Sequence, residues 1–116
     1  MELIALLSSG KGTWGQVAGL INRGEWDKVI LLGDSFASSF KAEKPSEFIR
    51  LDLTKPTIEV KKEIIEKLKG KIDGMEVALS IASGSGKEHM SLISALIDLP
   101  VGIKFTVLTK DGIIFF

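Results

Sequence analysis

The chain has no cysteine and a single histidine, His89, among its 116 residues. That excludes disulfides, cysteine metal sites and any metal site built from several histidines of one chain. Net charge is absent too, with 15 Lys and Arg against 15 Asp and Glu. Proteins that grip duplex DNA whatever its sequence draw their affinity from many basic contacts, so duplex DNA is not an expected partner. No apolar run reaches the roughly 18 residues of a membrane-crossing helix. The opening MELIALLSSG also lacks the basic flank of a signal peptide. A cytoplasmic protein with no membrane partner is therefore expected. One Gln and one Asn stand against abundant Lys, Glu and Ile, a composition expected of a thermophile.

What is present is a core. With 45% hydrophobic and 26% charged residues, the chain reads as one globular domain over residues 1–116. A domain of this size buries about two-thirds of its unfolded surface and needs no staples.

Short apolar runs alternate with helical patterns. ELIALL (2–7), KVILL (28–32), EFIRLDL (47–53) and MEVALSIA (75–82) read as strands. Residues 13–23 place Trp14, Val17, Leu20 and Ile21 at helical spacing, and 35–40 allow one or two helical turns. Over 57–71, Ile58, Ile64, Ile65 and Leu68 share a face opposite paired Glu and Lys. Over 88–99, Met90, Ile93, Leu96 and Ile97 do the same. Lys110-Asp111-Gly112 between two apolar runs signals a hairpin. The order βαβαβαβα followed by a C-terminal β-hairpin predicts an α/β, single-domain, Rossmann-like and mostly parallel sheet with helices on both faces.

Open sheets of this kind bind ligands beyond the carboxyl ends of their strands, where the winding reverses. Two loops emerge there, SSGKGTWG (8–15) and SGSGKE (83–88), each with serines and one lysine, Lys11 or Lys87. Both lead into helix starts, whose free N–H groups favour an anion. The plain alternative is a turn that needs Gly for its backbone and Ser for a cap.

A P-loop fails on spacing, because Ile81 and Glu88 stand where Gly and Ser or Thr are required. Gly10, Gly12 and Gly15 satisfy G-x-G-x-x-G after a strand, with Asp34 near the place of a ribose-binding acid. A minimal NAD- or NADP-binding domain is thus one reading. Asp34 fits better as an N-cap of the short helix after it.

Ser83-Gly84-Ser85-Gly86-Lys87-Glu88-His89-Met90, followed by SLISALIDL, resembles the signature after the fourth strand of CARF domains, the CRISPR-associated Rossmann-fold ligand sensors. Element order is similar over nearly the whole chain. The family's motif is Asp or Asn, one residue, Ser or Thr, three residues, then Lys or Arg. Ser83 and Lys87 satisfy its second half, and Ile81 departs from its first. The resemblance implies a homodimer holding a cyclic oligoadenylate or another nucleotide between paired loops. Its contacts would come from Ser8, Ser9, Gly10 and Lys11 and from Ser83, Gly84, Ser85, Gly86, Lys87 and His89, with no metal or cofactor.

Some family members cleave their ligand slowly, which makes a metal-independent ring nuclease an extension of this reading. There the ribose 2′-OH attacks the adjacent phosphodiester in line. Lys87 would neutralise the phosphoryl oxygens, and Ser8 or Ser9 would orient the 2′-OH. His89 is either a general base or a surface or dimer-contact residue. A non-catalytic module that binds only a protein partner is the third class.

Overall fold

Glu2–Leu7 forms strand β1 and is buried at every position, in a computed structural model that describes residues 1–8 and 13–116. A strand apolar on both faces needs partners on both edges and cover above and below. β2 (Val29–Gly33) pairs in parallel on one edge of β1 and β4 (Glu76–Ser80) on the other. β3 (Glu47–Arg50) lies outside β2, and β5 (Gly102–Thr109) lies outside β4, both in parallel. β6 (Gly112–Phe115) closes the far side antiparallel to β5. The order is β3-β2-β1-β4-β5-β6, the mostly parallel sheet with a terminal hairpin that the alternating pattern predicts.

Parallel neighbours require crossovers, and these supply the two covering layers. Helix α1 (Trp14–Arg23) sets Val17, Leu20 and Ile21 against Leu3, Ala5 and Leu7 on one face. Helices α2 (Thr57–Leu68) and α3 (Gly86–Asp98) cover Ile4 and Leu6 on the other. Only a 3-10 turn, Ala37–Ser39, punctuates the link from β2 to β3. The chain thus steps outward from β1 to β3, then returns through α2 to the opposite side of β1. The winding reverses between β1 and β4.

The faces of α2 and α3 correct the periodicity reading. α2 buries Val60, Ile64 and Leu68, while Ile58 is 62% exposed. α3 buries Ser91, Leu92, Ala95 and Leu96, while Met90 and Ile97 are 64% and 60% exposed. The reason is steric. The small residues Ser91 and Ala95 lie on the buried side, and the Ser91 hydroxyl bonds both the Lys87 carbonyl and the Thr57 carbonyl of α2. A helix turned to offer small residues to its neighbour presents other apolar residues to solvent. β3 also ends at Arg50 rather than Leu53, and α3 begins at Gly86 rather than Glu88.

Gln16 does the work of a missing strand. β5 runs past the end of β4, so the outward backbone groups of Leu108 have no ladder partner there. The Gln16 amide donates to the Leu108 carbonyl at 3.0 Å and its oxygen accepts from the Leu108 N–H. Replacing Gln16 by Ala strands both groups in a part-buried seam, at about 1–3 kcal/mol. Gln16→Ala is expected to melt several degrees below the parent. An unchanged melting temperature in a thermal scan would show that the clamp carries no stability.

Candidate functional site

The switch point is built from the end of β1 and the loop after β4, and a buried serine joins them. The Ser83 hydroxyl accepts the Ser8 N–H at 3.0 Å, with Ser83 2% and Ser8 8% exposed. The carbonyl of Ser83 lies 2.8 Å from His89 Nε2. A carbonyl only accepts, so Nε2 carries the hydrogen and donates it. The residue read as a ligand contact is therefore turned inward, and it ties strand, loop and helix together. Only Nδ1 of His89 remains for a base. The Ser8 carbonyl accepts from Trp14 Nε1 at 3.1 Å, which fixes the start of α1 to the same strand end.

Gly84 has φ +102°, and a Cβ there would lie 2.5 Å from a Leu6 methyl carbon. Both the conformation and the space require glycine. Beyond it, Ser85 and Glu88 form a capping box. The Ser85 N–H donates to Glu88 Oε1 at 2.8 Å, and the Glu88 N–H donates to the Ser85 hydroxyl at 3.4 Å. Glu88 is the first-turn acid that its position suggests. Among the described residues, the capping box leaves the N–H groups of Gly86 and Lys87 as first-turn donors at the positive end of the dipole.

Lys87 extends sideways, and its ammonium donates to the Leu53 carbonyl at 3.1 Å. It therefore leans toward the loop after β3. Ser9, Gly10, Lys11 and Gly12 lie outside the described residues. Gly15, the third glycine of the dinucleotide pattern, has, among the described residues, no atom outside its own helix backbone and chain neighbours within 4 Å of where a Cβ would lie. The fingerprint needs that glycine for close helix–strand packing. Asp34 accepts the Ala37 N–H at 3.0 Å, as an N-cap does. Neither position behaves as the dinucleotide reading requires.

Next to Lys87 the structure opens a recess of about 510 Å³ that the sequence pattern gave no sign of, lined in part by Asp34, Arg50, Asp52, Leu53, Glu63 and Lys67. These residues come from the ends of β2 and β3 and from α2. The hydroxyl and N–H of Thr54 hold the Asp52 carboxyl below its ordinary range against some desolvation, with help from the charges of Lys55 and Lys87. Burial works to raise the Glu63 carboxyl, and the Lys67 ammonium and the Asp52 N–H outweigh it, so the net displacement is downward. Both groups stay ionised at neutral pH. Among the described residues no cluster of His, Asp and Glu is arranged to hold a metal ion. No helix there is long and apolar enough to cross a membrane.

No family model and no curated protein sequence matches the chain. Solved structures do. Protein VC1899 from Vibrio cholerae superposes with a TM-score of 0.67 at 17% identity, over 97% of this chain and 33% of that one. Csm6 from Enterococcus italicus, bound to cyclic hexa-2'-fluoro-hexa-dAMP, superposes with a TM-score of 0.62 at 12% identity, over 94% of this chain and 33% of that one. The chain thus spans about a third of the length of either neighbour. At such identities the likeness is one of fold, the mostly parallel α/β sheet with its terminal hairpin.

Proposed function

We propose that the chain is a CARF-type nucleotide sensor that binds a cyclic oligoadenylate at the carboxyl ends of β1 and β4, as a homodimer. The observation that carries this reading is the cradle at the switch point. There the tied loops present the N–H groups of Gly86 and Lys87 beside the Lys87 ammonium. A fold shared with a Csm6 that holds a cyclic adenylate analogue supports the choice of ligand.

The proposed roles draw on the geometry at Lys87 for the second loop and on the sequence resemblance for the first. Lys87 exchanges the Leu53 carbonyl for a phosphate oxygen, and the first-turn N–H groups bind a second oxygen. Ser85 and Ser83 set the loop, and Ser8, Ser9, Gly10 and Lys11 supply the facing side. Slow ring cleavage would need Ser8 or Ser9 to align the 2′-OH and Lys87 to stabilise the phosphoryl charge.

The homodimer is supported by an apolar flank. α3 meets α2 through Ser91 and Asp98, which leaves Met90, Ile93 and Ile97 on its other side. Ile114 and Phe116 are 44% and 74% exposed, and the Phe116 ring lies 6.2 Å from Phe105 on the same sheet face. These side chains leave on the order of 500 Å² of apolar surface, the upper end for a monomer and over half of one side of a standard interface.

Two measurements test this. In a melting scan, cyclic tetra- or hexaadenylate at 100 times its dissociation constant should add about 2.7 kcal/mol, a shift of several degrees. Lys87→Ala should lose that shift and Lys110→Ala should keep it. A clear shift with NAD and none with either oligoadenylate would overturn the reading. In solution the chain should run at twice its 12.6 kDa, and Met90→Lys with Ile97→Lys should run at 12.6 kDa. A parent protein of single-chain mass would contradict the dimer.

A further inference from the structure

We propose that His89 is a positioning residue for the anion held at the start of α3. Its ring holds the Ser83–Gly84 peptide in the one orientation that offers the Gly84 N–H to a phosphate. The proposal rests on the anion reading above for its ligand, and on the geometry of this peptide for its mechanism.

The Ser83 carbonyl accepts from His89 Nε2 at 2.8 Å. The Ser83–Gly84 peptide is trans, so its C=O and N–H point in opposite directions. A carbonyl drawn to His89 therefore turns the Gly84 N–H away from the ring. Gly84 is exposed, and its N–H has no hydrogen-bond partner among the described residues. The Ser85 N–H beside it is committed to Glu88 Oε1 at 2.8 Å. Gly84 thus extends the donors of Gly86 and Lys87 back into the loop, and clustered backbone N–H groups suit an anion.

Glycine lets this peptide take either orientation. With the carbonyl toward His89, Gly84 has φ +102°. A flip of the peptide turns φ by about half a revolution to a negative value, which glycine adopts as readily. The flipped peptide would face a ligand with the Ser83 carbonyl, and a carbonyl oxygen repels a phosphate. One orientation accepts the anion and the other rejects it. The Ser83 hydroxyl accepts the Ser8 N–H at 3.0 Å and anchors the residue, which confines the pivot to this peptide.

The ring selects the orientation through its tautomer. With hydrogen on Nε2 it donates and holds the carbonyl. With hydrogen on Nδ1, Nε2 becomes an acceptor and would draw the Gly84 N–H instead. The ring stands directly against the peptide it controls, since a Cβ at Gly84 would lie 3.2 Å from Nε2. The His89 N–H, bonded to the Ser85 carbonyl at 2.9 Å, keeps it there.

Amide NMR titration with inorganic phosphate tests the proposal, read together with the nitrogen-15 signals of the imidazole. The parent is expected to show the Nε2–H tautomer, and phosphate is expected to move the amide of Gly84 along with those of Gly86 and Lys87. His89→Phe keeps a ring without the donor and should bind phosphate about tenfold more weakly, the value of roughly one hydrogen bond to a charged group. His89→Gln places an N–H at a similar reach to Nε2 and should recover affinity to within about threefold of the parent. The tautomer and the Gly84 amide are read on the parent, so they decide the question even where His89→Phe does not fold. An Nδ1–H tautomer, or unchanged affinity in His89→Phe, would overturn the role of the ring. Phosphate shifts at Gly86 and Lys87 with a silent Gly84 would sink this proposal and leave the anion reading standing. A shift at Gly84 with silence at the other two would support the peptide's role and remove the first-turn anion reading. Silence at all three amides would overturn both.

Discussion

Two hydrogen bonds to Ser83 hold the carboxyl ends of β1 and β4 and the first turn of α3 as one unit. The hydroxyl takes the Ser8 N–H, and the carbonyl takes the His89 ring. A buried backbone N–H without a partner costs on the order of 1–3 kcal/mol, so the loop cannot drift from β1 cheaply. Everything offered to a ligand hangs from this tie. It sets the Gly84 turn, and the turn sets the capping box. The capping box in turn decides which N–H groups of α3 remain open.

The same arrangement separates structural from interactive polar groups along one short stretch. Ser83, Ser85 and Glu88 are occupied within the chain, and His89 has one nitrogen committed. Among the described residues, the Lys87 ammonium bonds a carbonyl at the lip of the neighbouring recess. A carbonyl is a weaker partner for an ammonium than a phosphate oxygen, and under the proposed function a phosphate would displace it. Lys87 and the recess, which carries one more carboxylate than cations on its lining, lie side by side.

Much of the fold was legible because each element carries its own period. β1, β2 and β4 are continuous apolar runs, and their parallel burial follows from alternation with helices. Helix faces were less legible. Apolar residues on α3 serve two surfaces, one against the sheet and one toward solvent, and spacing alone does not say which is which. Gln16 could not be read at all, because its partner Leu108 is 92 residues away. The direction of Ser83 depends on how closely β1 approaches, which no local pattern encodes. The recess was missed for a similar reason. Arg50 and Asp52 are outward positions of the β3 segment, and only the tertiary placement of α2 brings Glu63 and Lys67 beside them as one lining.

The central claim is that the tied loops of two chains share one cyclic nucleotide. Isothermal titration of cyclic hexaadenylate into the protein tests it most directly, through stoichiometry. The account predicts saturation at one ring for every two chains. Saturation at one ring per chain, or no heat at any ratio, would contradict it.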